Sequence, residues 1–175
     1  TNCTPYLQRP LDHGFDISLN ASSGYLLGGV LDEGAVAVVA EDQAFKVDKL
    51  GFLRMAVGAV PAARDLDTAL RALASLAPRM ERVCDTAERI ALFLSAHPVV
   101  AEVLYPGLAG HSRGDLANRQ MTRPGGFLSF IVEGGLARTQ SVLDRLECIS
   151  IDDGPVGPGS VIDHPSDFQF SSVPE

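Results

Sequence analysis

Several features are missing from this sequence of 175 residues, and each absence excludes a class of protein. No apolar run reaches the roughly 18 residues that a membrane-spanning helix needs, so we expect no membrane span. Lysine and arginine form no block and the net charge is −8. This charge argues against a nucleic-acid surface, because such surfaces neutralise phosphates. The first residues lack a charged head followed by an apolar stretch, so we expect no signal peptide.

Cysteine is scarce, and its spacing excludes a disulfide framework. The three cysteines are Cys3, Cys84 and Cys148, and no two of them form a CxxC pair. An odd number at wide spacing is typical of a reducing compartment, so we expect the protein in the cytoplasm. Cys84 lies in a helical pattern and is expected to be a small core residue. The four histidines lack metal-ligand spacing, so the sequence predicts no metal site.

What is present indicates a globular α/β chain, with 46% hydrophobic and 21% charged residues. Residues 14–19 alternate as a strand does, and 34–40 form a continuous apolar run. Such a run is typical of a strand buried on both faces of a parallel sheet. The segment between them is rich in small residues, which predicts a loop or tight turn. Residues 41–59 follow a helical pattern.

A long helical stretch is predicted from Asp65 to about His97, with leucines along one face. Pro78 should kink this helix, since proline lacks a backbone donor and clashes with the preceding turn. The later segments alternate between strand and helix, which suggests a small α+β domain. The predicted elements are strands 99–105 and 125–135 and helices 115–121 and 136–147. The last 28 residues are rich in loops.

Five stretches of the sequence occur in an order that is familiar from one enzyme family. They are TPYLQRPLDHGFDI, GAVP with Asp65 and Arg71, RMERVCDTAERIALFLSAHPVVAEVLYPGL, LANRQMTRPGGFLSFIVEGG and HPSDFQFSSVPE. Together they resemble the Cys/Met-metabolism family of pyridoxal-phosphate (PLP) enzymes, which includes cystathionine γ-synthase, cystathionine lyases and methionine γ-lyase. The resemblance covers almost the whole chain.

The resemblance implies a fold-type-I PLP-transferase-like architecture of the α/β class. Residues 1–64 would form the end of the large-domain sheet, 65–98 a connector helix, and 99–175 most of a C-terminal α+β small domain. The family assembles as dimers paired into tetramers, with active sites at subunit boundaries. Arg71 and Arg79 match family positions on the connector helix, where we expect them to make ion pairs.

The family's cofactor lysine is missing from the stretch that matches its motif. The motif is Ser-x-Thr-Lys-Tyr, and the matching residues here read ASSGY, from Ala21 to Tyr25. PLP chemistry needs a lysine amine for the Schiff base and for proton transfer. Ser23 keeps a hydroxyl that could bind the cofactor phosphate, whereas Gly24 replaces the lysine. Rescue by Lys46 or Lys49 would need a different register.

Two further motifs of the family are also altered. LLGGVLDE stands where the family has Gly-His-Ser-Asp. Near the C-terminus, Gly154 and Gly159 replace the serine and the glutamate of Ser-Leu-Gly-Gly-x-Glu-Ser, which helps to hold the substrate. The alterations fall on cofactor and substrate motifs, whereas the packing patterns are retained. We therefore identify no catalytic residue in this chain, and Ser23 is the one candidate for cofactor binding.

The sequence thus predicts a degenerate, non-catalytic subunit of a PLP-dependent sulfur amino-acid lyase or synthase. It would act in a hetero-oligomer with a lysine-bearing relative, or as a homo-oligomer, without covalently bound PLP. The alternative is a genuine C–S lyase or γ-synthase seen as a fragment or with an altered residue at Gly24. A third reading is a binding module that uses the emptied pocket for another small molecule.

Overall fold

The computed structural model describes residues 3–30, 34–152 and 159–165. The chain forms six α-helices and six β-strands within these ranges, with 3₁₀ turns at Pro10–His13 and Glu41–Gln43. The helices are α1 Thr4–Leu7, α2 Ala44–Ala56, α3 Ala63–Ala74, α4 Leu76–Ser95, α5 Gly114–Gln120 and α6 Gly135–Leu143. The strands are β1 Ile17–Ala21, β2 Ala35–Val39, β3 Val100–Leu104, β4 Ser129–Val132, β5 Ser150–Ile151 and β6 Val161–Ile162.

The strands form three two-stranded sheets within the described ranges. β1 and β2 are antiparallel, with Ile17 opposite Val39 and Ala21 opposite Ala35. β3 and β4 are also antiparallel, whereas the short strands β5 and β6 are parallel. Each predicted strand and helix is found, and most are shorter than predicted.

The predicted parallel pairing of the strand at 34–40 is wrong within the described residues, and its burial on both faces stays a prediction. β2 runs antiparallel to β1, and its first four residues are exposed in this chain. A parallel neighbour requires a crossover of a dozen or more residues, usually a helix. Residues 22–30, which follow β1, form turns and no helix. An apolar β-branched run therefore identified a strand here, but not the orientation of its partner.

The predicted kink at Pro78 is also wrong. The long helical stretch is broken at Ser75, between α3 and α4. Pro78 is the third residue of α4, where the backbone N–H that proline lacks would have no partner within the helix. Proline is therefore accommodated in this first turn, and the helix is interrupted three residues earlier, at Ser75.

Helix α4 forms the centre of the described core. Met80, Cys84, Ala87 and Ala91 recur along one face and are almost completely buried. Met80 and Cys84 pack with Leu7 of α1 in one cluster, whereas Ala87 and Ala91 pack with Tyr105 in another. The predicted core position of Cys84 is therefore confirmed. The domain boundaries at 65 and 99 remain predictions.

Large apolar side chains remain exposed on the part of the chain around the first sheet. Most of them lie on α2 and β2, and they include Val36, Val38, Phe45, Val47, Phe52, Leu53 and Met55. Exposed apolar patches of this kind mark surfaces that contact another part of a protein or a partner. None of the helices in the described ranges has the length and apolar character to cross a membrane.

Candidate cofactor site

The stretch from Ala21 to Tyr25 leads from the end of β1 into a turn. Ala21 is the last residue of the strand, and the amide of Ser22 donates to the carbonyl of Gly34 at 3.0 Å. Gly24 follows with φ +68°, in the left-handed region that favours glycine. Its carbonyl accepts a hydrogen bond from the amide of Gly29 at 3.2 Å. We call residues 24–29 the Gly24 turn.

Position 24 cannot hold PLP covalently, because glycine has no side-chain amine and a Schiff base requires one. The residues present therefore do not fit the cofactor as it is bound through a lysine. Lys46 and Lys49, the two lysines considered as replacements for the missing amine, both belong to α2 and not to the Gly24 turn. Lys46 on α2 pairs with Asp16, with Nζ 2.6 Å from the carboxylate, and Lys49 is exposed on the same helix.

Ser23, the predicted phosphate ligand, is half-buried at the start of the turn, and this assignment remains a prediction. Sequence reasoning missed its polar neighbours on β1. Ser18, Asn20 and Ser22 alternate along one side of the chain and are all buried. The Asn20 Oδ1 and Ser22 Oγ atoms lack a hydrogen-bond partner. The period of two was visible in the sequence, but alternation alone does not say which side of a strand is buried.

Arg79 on α4 binds two backbone carbonyls of the Gly24 turn. Its Nη1 donates to the carbonyl of Tyr25 at 2.7 Å, and its Nη2 donates to the carbonyl of Leu26 at 3.1 Å. The expectation of an ion pair is wrong for Arg79, because its partners are backbone carbonyls and a serine hydroxyl. The expectation is confirmed for Arg71, which pairs with Asp67 one helical turn away at 2.9 Å.

The ring of Tyr25 is fixed between α4 and the segment that leads into β4. It packs against the cluster of Leu7, Met80 and Cys84, and it makes an edge-on contact with Phe127 at a centroid distance of 5.4 Å. Burial raises the pKa of Tyr25 above its ordinary value of 10.0. The retained tyrosine of the motif therefore has a packing role in this chain.

The segment before the strand is fastened to α4 and to the loop after α5. Tyr6 packs against the core, and its hydroxyl also donates to Glu81 at 2.7 Å. Arg9 donates to the carbonyl of Pro5, within its own segment. The amide of Thr122 donates to the carbonyl of Leu7 at 2.8 Å. Residues 4–8 therefore contact the predicted connector helix and a segment that follows it in the chain.

A cluster of ion pairs joins the loop after α5 to helix α4. Arg123 pairs with Glu81 at 2.7 Å, Asp85 at 2.8 Å and Glu88 at 3.5 Å, three carboxylates on one face of α4. Hydrogen bonds from Tyr6 and then from Arg123 lower the pKa of Glu81 below its ordinary value. Hydrogen bonds to Asp85 and Glu81 raise the pKa of Arg123. We call these residues the Arg123 cluster.

The remaining predicted features do not gather at the site. His13, His97 and His111 lie in separate segments, and no group of three or more His, Cys, Asp or Glu residues suited to a metal ion occurs within residues 3–30, 34–152 and 159–165. Gly154, which replaces the family's substrate-side serine, lies outside the described residues. Gly159 is exposed just before β6.

Comparison with known proteins agrees with the resemblance. The family described as Cys/Met metabolism PLP-dependent enzyme matches residues 1–175, and the chain belongs to this family. It is 38% identical to cystathionine β-lyase of Coxiella burnetii over 175 residues, which cover 100% of this chain and 45% of that protein. It is 37% identical to L-methionine γ-lyase of Pseudomonas deceptionensis, covering 98% of this chain and 43% of that one.

Solved structures show the same fold. The crystal structure of cystathionine γ-synthase from Xanthomonas oryzae pv. oryzae in complex with aminoacrylate and cysteine matches with a TM-score of 0.90 and 30% identity. The match covers 99% of this chain and 44% of that one. The chain therefore has the α/β fold of fold-type-I PLP enzymes, and it spans somewhat less than half the length of the relatives it matches.

Proposed function

We propose that this chain is part of a non-catalytic member of the PLP-dependent transsulfuration family, which acts in a complex with a lysine-bearing relative. The observation that carries the proposal is Gly24, at the position where the resemblance calls for the Schiff-base lysine. Without an amine there, neither the covalent bond to PLP nor proton transfer by that residue is available. The named relatives are lyases and synthases of sulfur amino acids, so we assign the complex to that substrate class.

The backbone at position 24 supports this proposal. A left-handed conformation costs a residue with a side chain roughly 1–2 kcal/mol, whereas glycine adopts it freely. Gly24 has φ +68° and is buried. A lysine placed there would have to bear this cost or change the turn. Reinstating the amine is therefore expected to require more than one substitution.

The exposed apolar surface supports a partner. Phe45, Phe52 and Met55 on α2 are each more than three-fifths exposed, and Val36 and Val38 of β2 are exposed as well. Apolar area of this extent gains free energy when it is removed from water. In the proposed complex, the rest of the protein and the lysine-bearing subunit cover it. A homo-oligomer would cover it as well, but would contain no competent site.

A second function is supported by a different observation. The chain spans less than half of relatives that are named as lyases and synthases, at up to 38% identity. A genuine PLP-dependent C–S lyase or γ-synthase, with an altered residue at Gly24, is therefore the alternative. In that protein, Gly24→Lys alone would restore a yellow internal aldimine and elimination activity together.

Native mass spectrometry of the assembly purified from its source tests both functions. We expect this protein to be found with a lysine-bearing relative, and the mass of PLP to lie on that relative. PLP on this protein, with elimination from cysteine, homocysteine or cystathionine by it alone, would overturn the proposal. A homo-oligomer without PLP would show that the partner was wrongly assigned, while the non-catalytic character would stand.

Gly24→Lys with Gly24→Ala as its matched control supplies the second test. Both variants add a side chain to the left-handed position, so both should lose stability, and only the lysine adds an amine. We expect neither variant to bind PLP covalently or to eliminate. An absorbance band of the aldimine in the lysine variant alone would favour the lyase.

A further inference from the structure

The side chain of Arg79 donates hydrogen bonds to three backbone carbonyls and one serine hydroxyl. Nη1 donates to Tyr25 and Nη2 donates to Leu26, so the planar guanidinium holds two successive carbonyls of the Gly24 turn. Nη2 also donates to the carbonyl of Ala72 at 3.2 Å, and Nε donates to the Ser75 hydroxyl at 3.0 Å. Four hydrogen bonds from one side chain therefore join the turn to the break between α3 and α4.

The neighbouring glycine makes this arrangement possible. A Cβ at Gly28 would lie 3.2 Å from Nη1 of Arg79 and 3.3 Å from its Cζ. The guanidinium would have to shift by a few tenths of an ångström to relieve these contacts. Gly28 also has φ +67°, so the turn needs glycine here for its backbone as well.

The surroundings of Arg79 select the guanidinium by its shape. None of the ion pairs among the described residues involves Arg79, and burial lowers its pKa. Its charge is therefore balanced by carbonyl dipoles. A planar fork of donors meets two successive carbonyls in a way that a lysine ammonium cannot.

We propose that Arg79 is a positioning residue that keeps the Gly24 turn folded in the absence of a covalently bound cofactor. A Schiff base ties its loop to the cofactor, and a chain with glycine at that position has no such tie. The two hydrogen bonds from Arg79 to the carbonyls of Tyr25 and Leu26 hold the turn independently of any ligand. Its hydrogen bonds to Ala72 and Ser75 keep the guanidinium in place. The inference rests on the proposed function only in taking the turn to lack a cofactor bond.

Hydrogen exchange on the complete natural protein tests this role. We expect Arg79→Ala to raise amide exchange in residues 24–30 by roughly tenfold or more, because local opening then breaks fewer hydrogen bonds. Exchange in residues 87–95 of α4 should remain unchanged. The matched control is Arg71→Ala on α3, which removes an exposed ion pair and should leave the exchange of the turn unaltered.

Chemical rescue distinguishes positioning from a general loss of packing. Millimolar guanidinium should restore protection of the turn in Arg79→Ala, whereas ammonium should not, and Arg79→Lys should behave like the alanine variant. Fluorotyrosine NMR gives a spectroscopic readout, because the carbonyl of Tyr25 is one of the two in the turn that Arg79 holds. The Tyr25 resonance should shift in Arg79→Ala and return with guanidinium, while that of Tyr105 stays in place.

Gly28→Ala tests the same contact from the other side, and it should also loosen the turn. Unchanged exchange in residues 24–30 of Arg79→Ala would overturn the inference, whatever Gly28→Ala does, since that variant also strains the backbone. So would equal rescue by ammonium and guanidinium. These outcomes concern the turn alone. PLP or elimination activity on this protein would instead overturn the proposed function, so the two failures can be told apart.

Discussion

The guanidinium of Arg123 lies 2.7 Å from a carboxylate oxygen of Glu81, and the second oxygen of Glu81 accepts the hydroxyl of Tyr6 at the same distance. One carboxylate thus joins a loop after α5, helix α4 and the segment that precedes β1. These three elements are distant in sequence, so the contact contributes to the tertiary fold rather than to one helix.

Arg123→Gln should lower the melting temperature by a few degrees. The substitution leaves Glu81, Asp85 and Glu88 as three like charges on one face of α4 without their shared cation. The loss should shrink as salt is added, since salt screens partly exposed charges. Thermal unfolding at low and high salt measures this effect. The control Arg71→Gln removes an exposed pair within one helix and should change the melting temperature very little.

A loss in Arg123→Gln that is equal at low and high salt would contradict the electrostatic explanation. In that case the effect would come from packing by the aliphatic part of the side chain and not from its charge.

Stability should fall in acid through the protonation of Glu81. Tyr6 and then Arg123 lower the folded-state pKa of Glu81 below the ordinary value of 4.5. A group with a depressed folded pKa contributes stability that is present above its unfolded pKa and lost as the pH falls through the folded pKa. Urea unfolding of the natural sequence and of Glu81→Gln should therefore differ near neutral pH and converge below the ordinary value.

Glu102→Gln, which changes an exposed glutamate of β3, is the control for this titration. A difference between Glu81→Gln and the natural sequence that persists unchanged into strong acid would exclude the carboxylate as its source.

Tyr105→Phe should cost about 1–3 kcal/mol of unfolding free energy, because it leaves a buried carbonyl unpaired. The Tyr105 hydroxyl donates to the carbonyl of Gly125 at 3.0 Å, and both residues are buried. Burial also raises the pKa of Tyr105 to about 12. Stability from this group is present below the ordinary pKa of 10.0 and is lost as the pH rises through the raised value.

Chemical unfolding from neutral to strongly alkaline pH measures both effects of Tyr105→Phe. The natural sequence should lose stability as the pH rises between these two pKa values, and the variant should lose less. Parallel alkaline curves for the two proteins would contradict the assignment.

Gly126→Ala should destabilise the chain by about 1–3 kcal/mol, the usual cost of overpacking. A Cβ at this position would lie 2.5 Å from the Tyr25 hydroxyl and would contact Cγ1 of Val83 even more closely. Gly51→Ala is the matched control, since nothing lies within 4 Å of its added carbon on α2. That control should gain about 0.5–1 kcal/mol from helix propensity. Equal changes in the two variants would show that Gly126 is not closely packed.

The sequence predicted the elements of this fold better than their partners. The apolar period of α4 correctly placed Cys84 inside, because helical spacing and burial are linked by simple geometry. The apolar run at 34–40 correctly indicated a strand, but the same run occurs in strands with either orientation of neighbour. Its pairing depended on the turn after β1, where the sequence shows only small residues.

The sequence predicted the missing amine of the candidate site, but not the long-range contacts that hold the site in place. The absent lysine at Gly24 is visible from the motif, whereas the role of Arg79 is not. The carbonyls that Arg79 holds are 53 and 54 residues away in sequence, and no local pattern encodes such a contact. The same is true of Arg123 and Glu81, which are separated by 42 residues. Contacts at this range arise from tertiary packing, which composition and period do not report.

Because Cys84 is buried, the rate at which its thiol is labelled can report how often the core opens. Leu7 and Met80 cover its side chain completely, and burial raises the pKa of its thiol. A thiol reagent should therefore modify Cys84 only when α1 and α4 separate, whereas exposed Cys148 should react at once. With reagent in excess, the slow phase of labelling would give the rate at which this core opens, without any introduced probe.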